Sequence, residues 1–300
     1  MVEKVFFDIT NCCNSNCIHC FTNAHNNISD MNNEMSTEQL KKLIDDLIEL
    51  EIKEISIGGG EPFLKDIVEI LDYIGDRVQV SVTTNGTILN NNIIESLEKH
   101  NVKITVSLDS LNQEVSQKVR KGIDVGIVIN NIKKLLKNYI IRNNLSIRTT
   151  ISKYNMTNVF DIIDFCNENG IAKMKINTVN NFGRAKQINI DPLFDDFMDL
   201  LEKVINYIKE KDIKTKILLP VEKYLKNVER KCTLGLASVY IDAFGNVFPC
   251  AFSEGNLNWG NVLENGIANI FMRNKNWDYE NSTCHKCPIN RYKKYKVMTI

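Results

Sequence analysis

Long hydrophobic runs are missing from this chain of 300 residues, and so is any excess of charge: 37 basic side chains balance 37 acidic ones. No stretch approaches the roughly eighteen consecutive apolar residues of a membrane helix, and the N-terminus MVEKVFFDIT lacks a secretory core. A cytoplasmic location is expected, with no membrane partner. The cancelled charge removes the broad positive field of a nucleic-acid binder, so no nucleic-acid partner is expected either. Low-complexity segments and internal repeats are lacking too. What the chain does have is nine cysteines. In a reducing compartment, cysteines at patterned spacings suit metal ligation or catalysis better than disulfides.

From Val5 to about Val179 short β-branched runs alternate with stretches of helical period. The strands expected are VFFDIT (5–10), EISIGGG (54–60), QVSVTTNG (79–86), KITVSLDS (103–110), LSIRTTIS (145–152) and KMKINTV (173–179). Six β-α rounds predict an α/β fold, a partial (β/α)6 barrel of the TIM type, with ligand chemistry at the carboxyl ends of the strands. In STEQLKKLIDDLIEL, Ser36 or Thr37 can cap a helix whose stripe is Leu40, Leu43, Ile44, Leu47 and Ile48. A long helix is expected over 193–211. Beyond it SVYIDAFGNVFPC reads as a hairpin turning at Gly245-Asn246, followed by a helix near Gly266 to Met272. These limits predict a barrel domain over 1–212 and a small extension over 213–300.

Cys13, Cys17 and Cys20 stand at the spacing C-x3-C-x2-C directly after the first strand. Thiolates are soft ligands suited to iron–sulfur clusters, and three protein ligands would leave one iron open to something else. Zinc, a disulfide or a metal-free loop would use the same residues. Gly58-Gly59-Gly60-Glu61-Pro62 ends the second strand, where glycines let a ligand approach the backbone and one carboxylate points at it. Cys12 is expected to be a bystander.

With TTNG at 83–86, SLDS at 107–110 and VRKG at 119–122, this combination resembles the radical S-adenosylmethionine superfamily. The resemblance implies that Cys13, Cys17 and Cys20 ligate a reactive [4Fe-4S] cluster that binds S-adenosylmethionine at its open iron. It places the backbone of His19 against adenine, and Gly59, Gly60 and Glu61 at the methionine end of the cofactor. Ser107 would lie near the ribose or the carboxylate, and Arg120 would pair with the carboxylate, which a guanidinium fork suits. Asn85 is also carried over, although turn formation by Asn-Gly accounts for it as well.

Cys232, Cys250, Cys284 and Cys287 form a second set that resembles the SPASM extension in its short, twitch form, since no cysteine follows Cys287. One auxiliary [4Fe-4S] cluster is implied, with a four-cysteine zinc site as the alternative. The implied activity is reductive cleavage of S-adenosylmethionine to a 5'-deoxyadenosyl radical that abstracts a substrate hydrogen. An electron donor such as flavodoxin or ferredoxin would be needed. FGRA at 182–185 resembles a segment of peptide-modifying members and points to a maturase acting on a ribosomally made precursor peptide or a protein side chain. The absence of room for a leader-binding domain keeps a small-molecule substrate open, an alcohol on an aminocyclitol or sugar. A non-catalytic metal-binding adaptor is the third reading. No general base can be named: Asp242, Glu254 and Tyr240 are candidates by position only.

Overall fold

The computed structural model describes residues 2–26, 28–220, 235–253 and 257–277. Cys232, Glu254, Cys284 and Cys287 lie outside the described residues. In chain order come β1 (Lys4–Asp8), the two-residue β2 (Asn16–Cys17), α1 (Thr37–Glu49), β3 (Glu54–Gly58), α2 (Ile67–Ile74) and β4 (Gln79–Thr84). Then follow α3 (Asn91–Lys99), β5 (Lys103–Ser107), α4 (Gln113–Val119), the short β6 (Arg120–Lys121), α5 (Val125–Leu135) and α6 (Tyr139–Asn144). After these are β7 (Leu145–Ile151), α7 (Val159–Glu168), β8 (Lys173–Thr178), α8 (Phe194–Glu210) and β9 (Lys216–Leu218). The last described stretches hold β10 (Ser238–Ile241), β11 (Asn246–Phe248), β12 (Gly260–Asn261), α9 (Val262–Asn265) and α10 (Ile267–Arg273). All six expected strands are present, in an α/β fold. No helix among the described residues is long and apolar enough to cross a membrane.

Local chemistry sets these limits. At α1, the Ser36 hydroxyl accepts from Gln39 N at 3.3 Å while the Gln39 side chain accepts from Ser36 N at 2.8 Å, a reciprocal cap. Leu40, Leu43, Ile44 and Leu47 of its stripe are buried, and each such side chain contributes roughly 1.5–3 kcal/mol by leaving water. Asp66, Asn90, Asn112 and Asp124 cap α2, α3, α4 and α5 in the same manner, through a side-chain oxygen.

The described chain forms two compact units. The first comprises residues up to 14, 24–83 and those from 235 onward; the second comprises 15–23 and 84–220. In the first unit β1 has a parallel neighbour on each side: Phe7 stands opposite Ile57 of β3 and Ile241 of β10. β4 pairs in parallel with β3, and β11 and β12 add antiparallel strands beyond β10. In the second unit β7 pairs in parallel with both β5 and β8, and β8 with β9. The expected hairpin exists, yet its turn is Asp242 to Gly245, with Gly245 at φ 85° and Asn246 already in β11. The Asp242 carboxylate accepts from the backbone N–H groups of Phe244 and Asn246 and thereby fixes that turn.

Parallel strands covered on both faces read as continuous apolar runs, whereas these alternate. Val5 and Phe7, Ile55 and Ile57, Val80 and Val82 are buried on one face of the first unit. Lys4, Asp8, Glu54, Ser56, Ser81 and Thr83 occupy the other. The second unit repeats this, with Ile104, Val106, Ile147, Met174 and Ile176 buried and Thr105, Ser107, Ser146, Arg148 and Asn177 opposite. Each unit therefore has an apolar face that belongs to the core and a polar face suited to ligands.

Candidate functional site

The loop after β1 is held in the first unit by a glycine segment and an ion pair. Gly60 N donates to Thr10 O at 2.7 Å and Glu61 N to Cys12 O at 2.8 Å. A Cβ on Gly59 would lie 2.1 Å from Thr10 O, and one on Gly60 2.1 Å from Cys12 O, so both positions must lack a side chain. The group that approaches these glycines in the structure is the chain's own cysteine loop. Glu61 is fully buried and caps the short 3-10 turn Pro62–Leu64, accepting from Phe63 N at 3.2 Å. On the other side Glu34 Oε1 accepts from Thr10 Oγ1 at 3.0 Å and from Asn11 N at 2.6 Å. Its Oε2 lies 3.2 Å from Lys65 Nζ. Cys12 and Cys13 are buried, with Cys13 N donating to His25 O. At the end of β1, Tyr240 donates to Asp8 Oδ2 at 2.6 Å. Burial, with a contribution from the Asp242 charge, pushes the Asp8 carboxyl up to about 7.

The second unit holds the rest of the loop. β2 and β6 form an antiparallel ladder in which Cys17 is the partner of Arg120. Arg120 Nε donates to Asp109 Oδ2 at 2.6 Å, and its Nη1 reaches Cys17 Sγ at 3.7 Å. Asp109 is fully engaged, since its Oδ1 accepts from Thr150 N at 2.7 Å. Cys17 Sγ also lies 3.1 Å from Ser15 Oγ, and Cys20 Sγ 3.4 Å from Thr22 Oγ1. FGRA docks here: Arg184 N donates to Cys20 O at 3.0 Å and Arg184 Nε to Cys17 O at 2.8 Å. A Cβ on Gly183 would come within 2.3 Å of Cys20 O. His19 Nε2 is 3.5 Å from Asp109 Oδ2. Burial pushes the His19 imidazole down to about 4, against the pull of Asp109 and aided by Arg120 and Arg184, so the ring stays neutral.

Ser107 ends β5 opposite Arg148 of β7. Asn85 is buried and its carbonyl accepts from both the backbone and the hydroxyl of Thr87, the turn role that Asn-Gly allows. Cys250 is buried, and Phe252 N donates to its sulfur at 3.3 Å. Cys166 is fully buried, and burial pushes its thiol up to about 12, which leaves it inert. Glu34, Lys65, Arg148 and Arg184 escaped sequence reasoning as site residues. Only Arg184 carried a signal, as part of FGRA.

A profile of the radical SAM superfamily matches residues 7–166. The chain belongs to the radical SAM superfamily. A second profile, SPASM, described as an iron-sulfur cluster-binding domain, matches residues 232–288 and spans the second cysteine set. The chain is 30% identical over 306 residues to the antilisterial bacteriocin subtilosin biosynthesis protein AlbA of Bacillus subtilis, covering 95% of this chain and 65% of AlbA. The chain thus spans about two thirds of that relative's length. It is 32% identical over 212 residues to a probable GTP 3',8-cyclase of Methanocaldococcus jannaschii, covering 68% of this chain and 69% of the cyclase. Among solved structures Streptococcus suis SuiB bound to S-adenosylmethionine has the same fold, with a TM-score of 0.75 at 18% identity over 97% of this chain and 71% of SuiB.

Radical SAM and SPASM domains imply [4Fe-4S] clusters and S-adenosylmethionine, and the residues present fit that donor chemistry. Cys13, Cys17 and Cys20 are all free thiols, although no three ligating side chains among the described residues form a ready metal-binding group. Ser15 and Arg120 offer donors to Cys17 sulfur, and hydrogen bonds to sulfur are what tune a cluster held by thiolates.

Proposed function

We propose that this radical SAM chain holds a [4Fe-4S] cluster through Cys13, Cys17 and Cys20 and modifies a ribosomally made peptide or protein side chain. When bound, the cluster and S-adenosylmethionine supply a 5'-deoxyadenosyl radical that abstracts a substrate hydrogen. The residues of the chain do the rest. The observation that carries the reading is the way each unit docks a glycine-backed segment on its own part of the cysteine loop: Gly59-Gly60 on Thr10 to Cys12, and Gly183 on Cys20 and Phe21. A fold that spends three unsubstituted positions on fixing eight residues requires that loop's geometry. Gly59, Gly60 and Glu61 then face the methionine end of the cofactor, with His19, Asn85, Ser107 and Arg120 around its remainder. Cys232, Cys250, Cys284 and Cys287 hold one auxiliary [4Fe-4S] cluster in an extension over 213–300, behind a barrel domain over 1–212. A flavodoxin or ferredoxin delivers the electron.

A peptide substrate is supported by the kinship with a bacteriocin biosynthesis protein and by the fold shared with SuiB, which has been crystallised with its precursor peptide SuiA. A small-molecule substrate has one observation in its favour, the 32% identity to a probable GTP 3',8-cyclase. The test is formation of 5'-deoxyadenosine by anaerobically reconstituted protein with a strong reductant, compared with Cys17→Ala. Product from the wild type alone upholds the reading, and candidate peptides or alcohols then compete as substrates. Iron without product, with or without candidates, returns the chain to the adaptor class.

A further inference from the structure

Arg148 presents a physical problem that the site above does not solve. It projects from β7 on the polar face of the second unit, and its Nε is shut off from solvent with no acceptor within reach among the described residues. Its cross-strand neighbours are Ser107 on β5 and Lys175 on β8. Like charges side by side on one face are destabilising, and this row contains a guanidinium and an ammonium with no carboxylate. The Arg120 charge adds to the repulsion, and together with burial it holds Arg148 below the ordinary arginine range. The one acid beside Arg120, Asp109, has committed Oδ1 to Thr150 N and Oδ2 to Arg120. A buried donor without an acceptor costs about 1–3 kcal/mol, more when it is charged. A fold retains such a group when a ligand completes it.

We propose that Arg148, with Lys175 beside it, binds a carboxylate on the polar face of the second unit, either the methionyl carboxylate of S-adenosylmethionine or an acidic group of the substrate. The inference rests on the cofactor reading above. It also divides the labour among the arginines: Arg120 is held by Asp109 and directed at Cys17, whereas Arg148 has its fork free for a two-oxygen anion. Phosphates accept from arginine as well, but a planar carboxylate matches one guanidinium beside one hydroxyl and one ammonium without demanding further donors.

The test uses the full chain, anaerobically reconstituted, in isothermal titration. One pair of ligands is S-adenosylmethionine and its decarboxylated analogue. The other pair, titrated into cofactor-saturated protein, is the amides of N-acetylglutamate and N-acetylglutamine. Arg148→Met should weaken one of the two acids by about 10- to 100-fold while leaving its uncharged partner unchanged, and Arg148→Lys should lose less. Circular dichroism and iron content confirm that both variants are folded. A loss confined to S-adenosylmethionine assigns the carboxylate to the cofactor; a loss confined to the glutamate derivative assigns it to the substrate. Equal binding of both acids by wild type and variants overturns the proposal. A wild-type chain that carries iron and still binds no S-adenosylmethionine defeats the parent reading instead.

Discussion

The Tyr240 hydroxyl donates a 2.6 Å hydrogen bond to Asp8 Oδ2, joining two buried side chains 232 positions apart in sequence. Asp8 ends β1, and Tyr240 lies on the neighbouring β10 with Asp242 two residues further on. The pair therefore ties the C-terminal hairpin to the strand that launches the cysteine loop. It also sets a pH dependence.

Burial pushes the Asp8 carboxyl from 3.8 up to about 7. Between these values the folded chain holds a proton that the unfolded chain has released. The contribution of Asp8 to stability is thus complete below pH 3.8 and is lost as pH rises through 7. The ceiling on that loss is about 4 kcal/mol. In Asp8→Asn the group no longer titrates, so its melting temperature relative to wild type should rise between pH 5.5 and 8. Thermal unfolding of both proteins across that interval checks this, and a flat difference would remove the titration from Asp8.

Glu34 and Lys65 form a pair of which the carboxylate is almost wholly buried. Glu34→Ala strands Lys65 and the donors of Thr10 and Asn11, and should cost about 3–5 kcal/mol in urea unfolding. Lys65→Met added to Glu34→Ala should recover part of that loss, because no charge is then left uncompensated. If the double variant is no more stable than the single one, the pair is not what holds the loop.

Gly60→Ala puts a methyl group 2.1 Å from Cys12 O. Either the cysteine loop or the glycine segment must move, at a cost of about 1–3 kcal/mol or more. The expected signature is loss of S-adenosylmethionine binding with the iron of the second cysteine set retained. Gly266→Ala, where a methyl group would meet nothing within 4 Å, should leave binding intact.

Cys250→Ser should remove one cluster's worth of iron and leave the S-adenosylmethionine-responsive electron paramagnetic resonance signal in place. Cys17→Ala should do the reverse. Zinc in place of the lost iron, measured by elemental analysis, would convert the auxiliary site to a four-thiolate zinc site.

The alternation of EISIG, QVSVTT, KITVS and LSIRTTI made the strands legible, and Ser36 with its stripe of leucines made α1 legible, because both are local patterns. The cysteine loop could be read for the same reason. Other features depend on partners far away in the chain. GGGE looks the same in sequence whether a ligand or the chain's own backbone closes on it, and the structure shows Thr10 and Cys12 there. Glu34 sits in an aperiodic stretch with no motif around it, and Arg148 reads as one more polar residue on an alternating strand. That Arg148 lacks an acceptor depends on how Asp109 is shared, which no spacing encodes.

The pairing of β1 with β10 has a consequence for how the protein is made. β1 leaves the ribosome early, and β3 can satisfy one of its edges soon afterwards. Its other edge must wait for residues 238–241. Until then a strand rich in phenylalanine and valine has unpaired N–H and C=O groups, the template on which chains associate wrongly. The segment bearing the second cysteine set thus also closes the edge of the oldest strand, and a chain cut between α8 and β10 should be recovered as aggregate rather than as a smaller enzyme.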